Sequence, residues 1–176
     1  MLRRAVAISL LALVAGCGTD PEPKEPTSPV SSTPTVTAPT MPAQAKENSP
    51  EGASAFVQHY IDVSNYAAST GDVEELSRLS DSRCTGCQEY VELYRDTYSA
   101  GGYFKGGNWE LDDLKLDFGP GETFVDAHLT APTGRYKASS GMPEESAKEE
   151  NTEISFGVVR RGELWVTSQM GLGVAK

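Results

Sequence analysis

Residues 84–118, CTGCQEYVELYRDTYSAGGYFKGGNWELDDLKLDF, contain the point at which the chain changes its period, and that change decides the fold. Before it, Cys87, Tyr90, Val91, Tyr94 and Tyr98 recur at three- and four-residue intervals, which places them on one face of a helix running from about Cys84 to Ala100. Gly101 and Gly102 supply the left-handed backbone that stops such a helix. Past Gly107 the apolar residues alternate instead: Trp109 and Leu111 share one parity, Leu114, Leu116 and Phe118 the other. One strand can hold both sets only with a bulge near Asp112 and Asp113, so a bent sheet is predicted.

Upstream, the helical period continues. Ser49 is a good N-cap, with Pro50 at the first helical position and Glu51 in the first turn. Ala53, Phe56, Val57, Tyr60, Ile61, Ser64 and Ala67 then form one apolar face, and Gly71 ends the helix. Asp72 and Glu75 have the spacing of a capping box at the start of a short second helix that carries Leu76 and Leu79. Downstream, Gly119 to Gly121 turn into a strand from Thr123 to Ala131, with Val125, Ala127 and Leu129 facing the core. A short strand at Arg135 to Ala138 and a polar, mobile stretch from Ser139 to Asn151 follow. Ile154, Phe156 and Val158 alternate in the next strand, and Leu164, Val166 and Ser168 share one face of the last. Three helices followed by antiparallel strands is the order of an α+β domain, helices packed on a bent sheet.

That domain is expected to span 49–176. Residues 17–48 are mostly Pro, Thr, Ser, Ala and Glu, too poor in bulky apolar side chains to build a core, and read as a disordered tether. Such a tether reaches roughly 30 Å as a coil and about 100 Å as extended polyproline II. Residues 1–16 read as a lipoprotein signal peptide: Arg3 and Arg4 precede an apolar run too short to span a bilayer comfortably, and Leu13, Val14, Ala15, Gly16 and Cys17 form a lipobox. Cys17 would then carry a diacylglyceryl group and hold the protein to the outer face of the cell membrane.

The formal net charge of −10 becomes about −12 once Arg3 and Arg4 are removed, since no acidic residue precedes Cys17. Nucleic acid is excluded as a partner by that charge and by the lack of a basic stripe. With Cys17 assigned to lipid, Cys84 and Cys87 remain as a pair in a compartment where a disulfide persists.

From Glu51 through Asn65, Tyr66, Gly71 and Asp72 to Cys84, Thr85, Gly86 and Cys87, and on to Gly106, Gly107 and Trp109, the chain resembles a family of uncharacterised actinobacterial lipoproteins. These are similar to the NTF2-like, or SnoaL-like, cone fold. The resemblance implies architecture and location but no activity; the wider fold hosts dehydratases, isomerases and many non-catalytic modules.

Several constellations invite chemistry. The two-residue spacing of Cys84 and Cys87 is that of thiol oxidoreductases, yet a helix rather than a strand precedes it, which favours a structural bridge worth about 2 kcal/mol over thiol exchange. Two cysteines and the distant His59 and His128 do not make a zinc set. Asp126 and His128 share one side of a strand and could act as an acid–base dyad for an isomerase or dehydratase, but the opposite parity belongs to the core, which puts them on the solvent side. His59 reads as a boundary residue of the first helix. Tyr90, Tyr94 and Tyr98 form a stripe suited either to the core or to a ligand pocket, in which a carboxylate with a Tyr90 or Tyr94 donor would be the other catalytic option. Glu144, Glu145, Glu149 and Glu150 lack the spacing of a calcium loop. There is no GxSxG, HExxH, SxxK or phosphate-cradling glycine loop, and no cofactor is implied. The expected function is a membrane-anchored binding or interaction module without catalysis, whose partner is either a small molecule or a cell-envelope protein.

Overall fold

A computed structural model describes residues 36–173. The expected signal peptide, Cys17 and the first part of the expected tether lie outside the described residues.

Helix α1, Pro50–Thr70, begins where the sequence places it: the Ser49 hydroxyl accepts a hydrogen bond from the Gly52 amide at 3.0 Å, and Gly71 closes the helix in the left-handed region at φ 78°. Its buried side includes Phe56, Val57, Tyr60 and Ile61, as the period predicts, and also His59 and Val63, because a helix covered on two sides buries a wider stripe. His59 is therefore a core residue, 1% exposed, rather than a boundary one. Helix α2, Glu74–Arg78, lacks the predicted capping box. Asp72 accepts from the Glu74 amide at 3.1 Å, while Glu75 turns to pair with Arg78 instead of reaching back. Helix α3, Thr85–Ser99, is capped by Cys84, whose sulfur accepts from the Cys87 amide at 3.2 Å.

The strands make two antiparallel sheets rather than one bent sheet. The four-stranded sheet has the order β2-β3-β6-β7, with β2 at Glu110–Asp117, β3 at Glu122–Ala131, β6 at Glu150–Arg161 and β7 at Leu164–Leu172. The three-stranded sheet has the order β1-β4-β5, with β1 at Tyr103–Gly106, β4 at Gly134–Lys137 and β5 at Glu145–Ala147. β1 and β5 are absent from the periodic reading: they are short, half-exposed to exposed, and too polar or too brief to alternate visibly. The polar stretch 139–151 thus contains a strand and the start of another.

The predicted bulge is present. The pairing of β2 with β3 slips between Asp112 and Lys115, and Asp113 adopts φ 50°, so Leu111 and Leu116 both pack toward the helices despite their opposite parity. A second bulge interrupts β7. The register against β6 shifts after Gly157, the Ser168 hydroxyl donates to the Gly157 carbonyl at 2.8 Å, and Trp165 and Thr167 are buried while Leu164, Val166 and Ser168 are not.

Val125, Ala127 and Leu129 from β3 and Ile154, Phe156 and Val158 from β6 meet Phe56, Tyr60 and Ile61 of α1 in one core. The folded unit also takes in the end of the expected tether. Gln44–Lys46 form a 3-10 turn with Ala45 fully buried, the Trp165 indole donates to the Glu47 carbonyl at 2.9 Å, and Arg160 donates to the Lys46 carbonyl at 3.0 Å. One buried alanine suffices here, because the neighbouring backbone carbonyls find donors on the sheet.

Candidate functional site

Where α3 approaches the three-stranded sheet, five aromatic rings surround a cleft. Tyr90 and Tyr94 are four apart on α3 and so lie on one face. Phe104 comes from β1, Tyr136 from β4, and Trp109 from the segment that joins the two sheets. That segment turns at Gly106 and Gly107, both at positive φ, and packs against Gly134, where an added Cβ would sit 3.1 Å from the Gly107 Cα. Asn65 of α1 then fixes it: its amide donates to the Trp109 carbonyl at 2.9 Å and accepts from the Trp109 amide at 2.8 Å. A single side chain thereby satisfies both backbone groups of the residue that forms one wall.

The rings pack mostly edge to face. Tyr90 and Trp109 have centroids 4.9 Å apart at 80°, Tyr94 and Phe104 5.4 Å apart at 81°; Phe104 and Tyr136 are stacked at 6.0 Å and 17°. The enclosed space is about 180 Å³. Burial pushes the Tyr90 hydroxyl up to about 12 and raises that of Tyr94 as well, so both stay neutral donors at physiological pH. The Tyr94 hydroxyl lies 3.5 Å from the Ser64 hydroxyl, whereas that of Tyr90 has no hydrogen-bond partner among the described residues. Arg135, Lys148 and Glu150 stand at the rim, Arg135 paired with Glu144 at 3.1 Å.

Two of the three tyrosines of the sequence stripe therefore line the cleft. Tyr98 does not: eight residues past Tyr90 it has rotated toward the end of α1, where its hydroxyl donates to the Ala68 carbonyl at 2.9 Å and its ring covers Gly71. Asp126 and His128 lie on the outer face of the four-stranded sheet, opposite Val125, Ala127 and Leu129, as the parity predicts. Asp126 accepts from the Ser155 hydroxyl, and His128 Nδ1 is 3.6 Å from Glu153. They do not reach the cleft.

Cys84 and Cys87 are joined by a disulfide, 2% and 0% exposed, with no strand leading into it. Glu144 and Glu145 accept from the hydroxyls of Tyr103 and Tyr136, and Glu149 from Asn151. Among the described residues no group of three or more His, Cys, Asp or Glu side chains could hold a metal ion. A wider hollow of about 590 Å³ between the start of α1 and Leu116 is an open trough with chiefly small and polar walls.

Phe104 and Tyr136 are absent from the periodicity argument, and Trp109 enters it only as a strand residue. The available signal was a set of aromatic residues beside the glycine pairs 101–102 and 106–107, which mark close backbone approach rather than simple chain ends.

The sequence profile of a family described as "Family of unknown function (DUF6318)" matches residues 25–171. The chain belongs to this family. All five aromatic residues of the cleft, and Asn65, fall within the stretch that matches DUF6318. No curated protein matches the chain. Among solved structures, the intermembrane space region of the chloroplast protein ARC6 is similar over 72% of this chain and 98% of that one, at 12% identity and a TM-score of 0.53, a likeness of fold alone. An uncharacterised protein with a cystatin-like fold from Caulobacter vibrioides is similar over 68% and 87% of the two chains, at 10% identity and a TM-score of 0.44. An NTF2-like protein with a cystatin-like fold from Novosphingobium aromaticivorans is similar over 67% and 79%, at 13% identity and a TM-score of 0.42.

Proposed function

We propose that this DUF6318 chain is a membrane-anchored, extracytoplasmic lipoprotein of actinobacterial type, held by acyl chains on Cys17. Its domain, a cone of the NTF2-like kind, is a non-catalytic module that binds a small molecule in the aromatic cleft. The observation that carries the binding reading is the Tyr90 hydroxyl, half-buried between aromatic walls with no hydrogen-bond partner among the described residues. That hydroxyl still reaches solvent at the mouth of the cleft, so it is free to bond a ligand that enters between the rings.

The lipobox at Leu13 to Cys17 supports the anchor, and the buried Cys84–Cys87 disulfide is in keeping with an oxidising compartment. The isomerase or dehydratase reading needs a base within reach of a bound substrate. Asp126 and His128 are on the wrong side of the sheet, and Glu150, the carboxylate nearest that role, sits on the exposed rim.

The test is fractionation followed by native mass spectrometry of the full chain purified from its own host. The wild type should sit in the membrane fraction, Cys17→Ser should leave it, and the wild type should retain a small molecule that Tyr90→Ala has lost. Retention of Cys17→Ser on the membrane would contradict the anchor; an adduct unchanged by Tyr90→Ala would contradict the site.

A further inference from the structure

Resting on the cleft as the ligand site, we propose that the part of the ligand seated there is an organic cation, an alkylammonium head group held among the rings of Tyr90, Trp109 and Phe104. Three features of the cleft select this chemistry over an aromatic ring or an anion.

The first is shape. A flat ligand is gripped between two parallel rings about 7 Å apart, twice the contact distance of carbon atoms. The only near-parallel pair here, Phe104 and Tyr136, is 6.0 Å apart and already stacked on itself. The other ring pairs are tilted at 47° (Tyr90 and Tyr94) or meet edge to face at 80° and 81°, which gives walls in several directions, the form that suits a three-dimensional head group. The second is size. About 180 Å³ is small beside the roughly 300 Å³ of the smaller drug-sized pockets, and fits a group of a few heavy atoms.

The third is charge. Aromatic faces carry negative potential and attract cations. Glu150 lines the cleft and, with Glu89, places negative charge near the Tyr90 hydroxyl. On the rim, Arg135 is matched by Glu144, which leaves Lys148 as the opposing charge, exposed on the approach to β6. The whole chain carries −10, which raises the local concentration of any cation.

The test is calorimetric titration of the detergent-solubilised full chain with choline chloride at constant ionic strength, beside 3,3-dimethyl-1-butanol, in which carbon replaces the charged nitrogen. Choline should bind one to one, with the neutral isostere about tenfold weaker, the order expected of a cation over partly buried rings. Tyr90→Ala should abolish choline binding, and Glu150→Gln, an exposed change that leaves the fold's circular dichroism intact, should weaken it severalfold. Equal affinity for choline and the isostere, or no binding of choline, would overturn the cation assignment; the host-derived adduct and its loss in Tyr90→Ala remain a separate test of the cleft. Choline binding that persists in Tyr90→Ala would place the cation elsewhere and overturn the proposal.

Discussion

The two sheets divide the work of the molecule. The four-stranded sheet puts Val125, Ala127, Leu129, Ile154, Phe156 and Val158 under the helices, buries them almost completely, and leaves Asp126 and His128 to water on its other side. The three-stranded sheet buries little, yet it supplies Phe104 and Tyr136 and, through the segment beyond β1, Trp109 to the cleft. The difference teaches that strong alternation marks where this chain is stable, and broken alternation with glycine pairs marks where it can hold something. A fully packed face has no room for a ligand.

Core and cleft should respond oppositely to substitution. The largest effect is expected in the four-stranded sheet: Phe156→Ala removes a fully buried ring in contact with Tyr60 and should cost about 3–5 kcal/mol in urea unfolding. Asn65→Ala joins the two regions. Losing both bonds to the Trp109 backbone should cost about 2 kcal/mol, with a red shift of Trp109 emission and loss of the retained ligand. Cys84→Ser with Cys87→Ser should cost about 2 kcal/mol, and the native bridge, being buried, should resist mild thiols; ready reduction would favour thiol exchange instead.

A smaller effect should appear with pH. His59 is buried with Nε2 unpartnered, and burial holds its pKa below the ordinary 6.5 against the opposing pull of Asp62 and Glu75, with Arg78 lowering it slightly further. As pH falls below about 6.5 the unfolded chain takes up this proton before the folded one does, so the stability that His59 contributes is full above that value and lost on acidification. The urea midpoint should fall between pH 7 and pH 5 in the wild type and fall less in His59→Gln; equal slopes would contradict this. The smallest effect is expected on the outer face, where Asp126→Asn with His128→Gln should stay within about 0.5 kcal/mol and leave ligand binding unchanged.

The sequence made some of this legible for definite physical reasons. Helix α1 was readable to the residue because Ser49, Pro50 and Gly71 each have a backbone reason to stand where they do. The bulge at Asp112 and Asp113 was readable because two parities cannot share one buried face without it. The bulge in β7 was not, since it follows from the contact of Ser168 with Gly157 across the hairpin, a fact of pairing that leaves no mark in the local period. The end of the tether was misread because composition does not reveal that the Trp165 indole needs the Glu47 carbonyl. Of the cleft, only Tyr90 and Tyr94 were visible; the other walls come from three separate segments that only the fold brings together.

The two tryptophans report on the two regions: Trp109 lines the cleft, and Trp165 is buried in the four-stranded sheet. The most direct test is therefore to follow both indole N–H resonances while the full chain is titrated with the low-molecular-weight extract of its host. A shift of the Trp109 resonance with Trp165 unmoved is the expected result. Movement of Trp165, or of the Asp126 and His128 amides, with Trp109 still, would contradict the account.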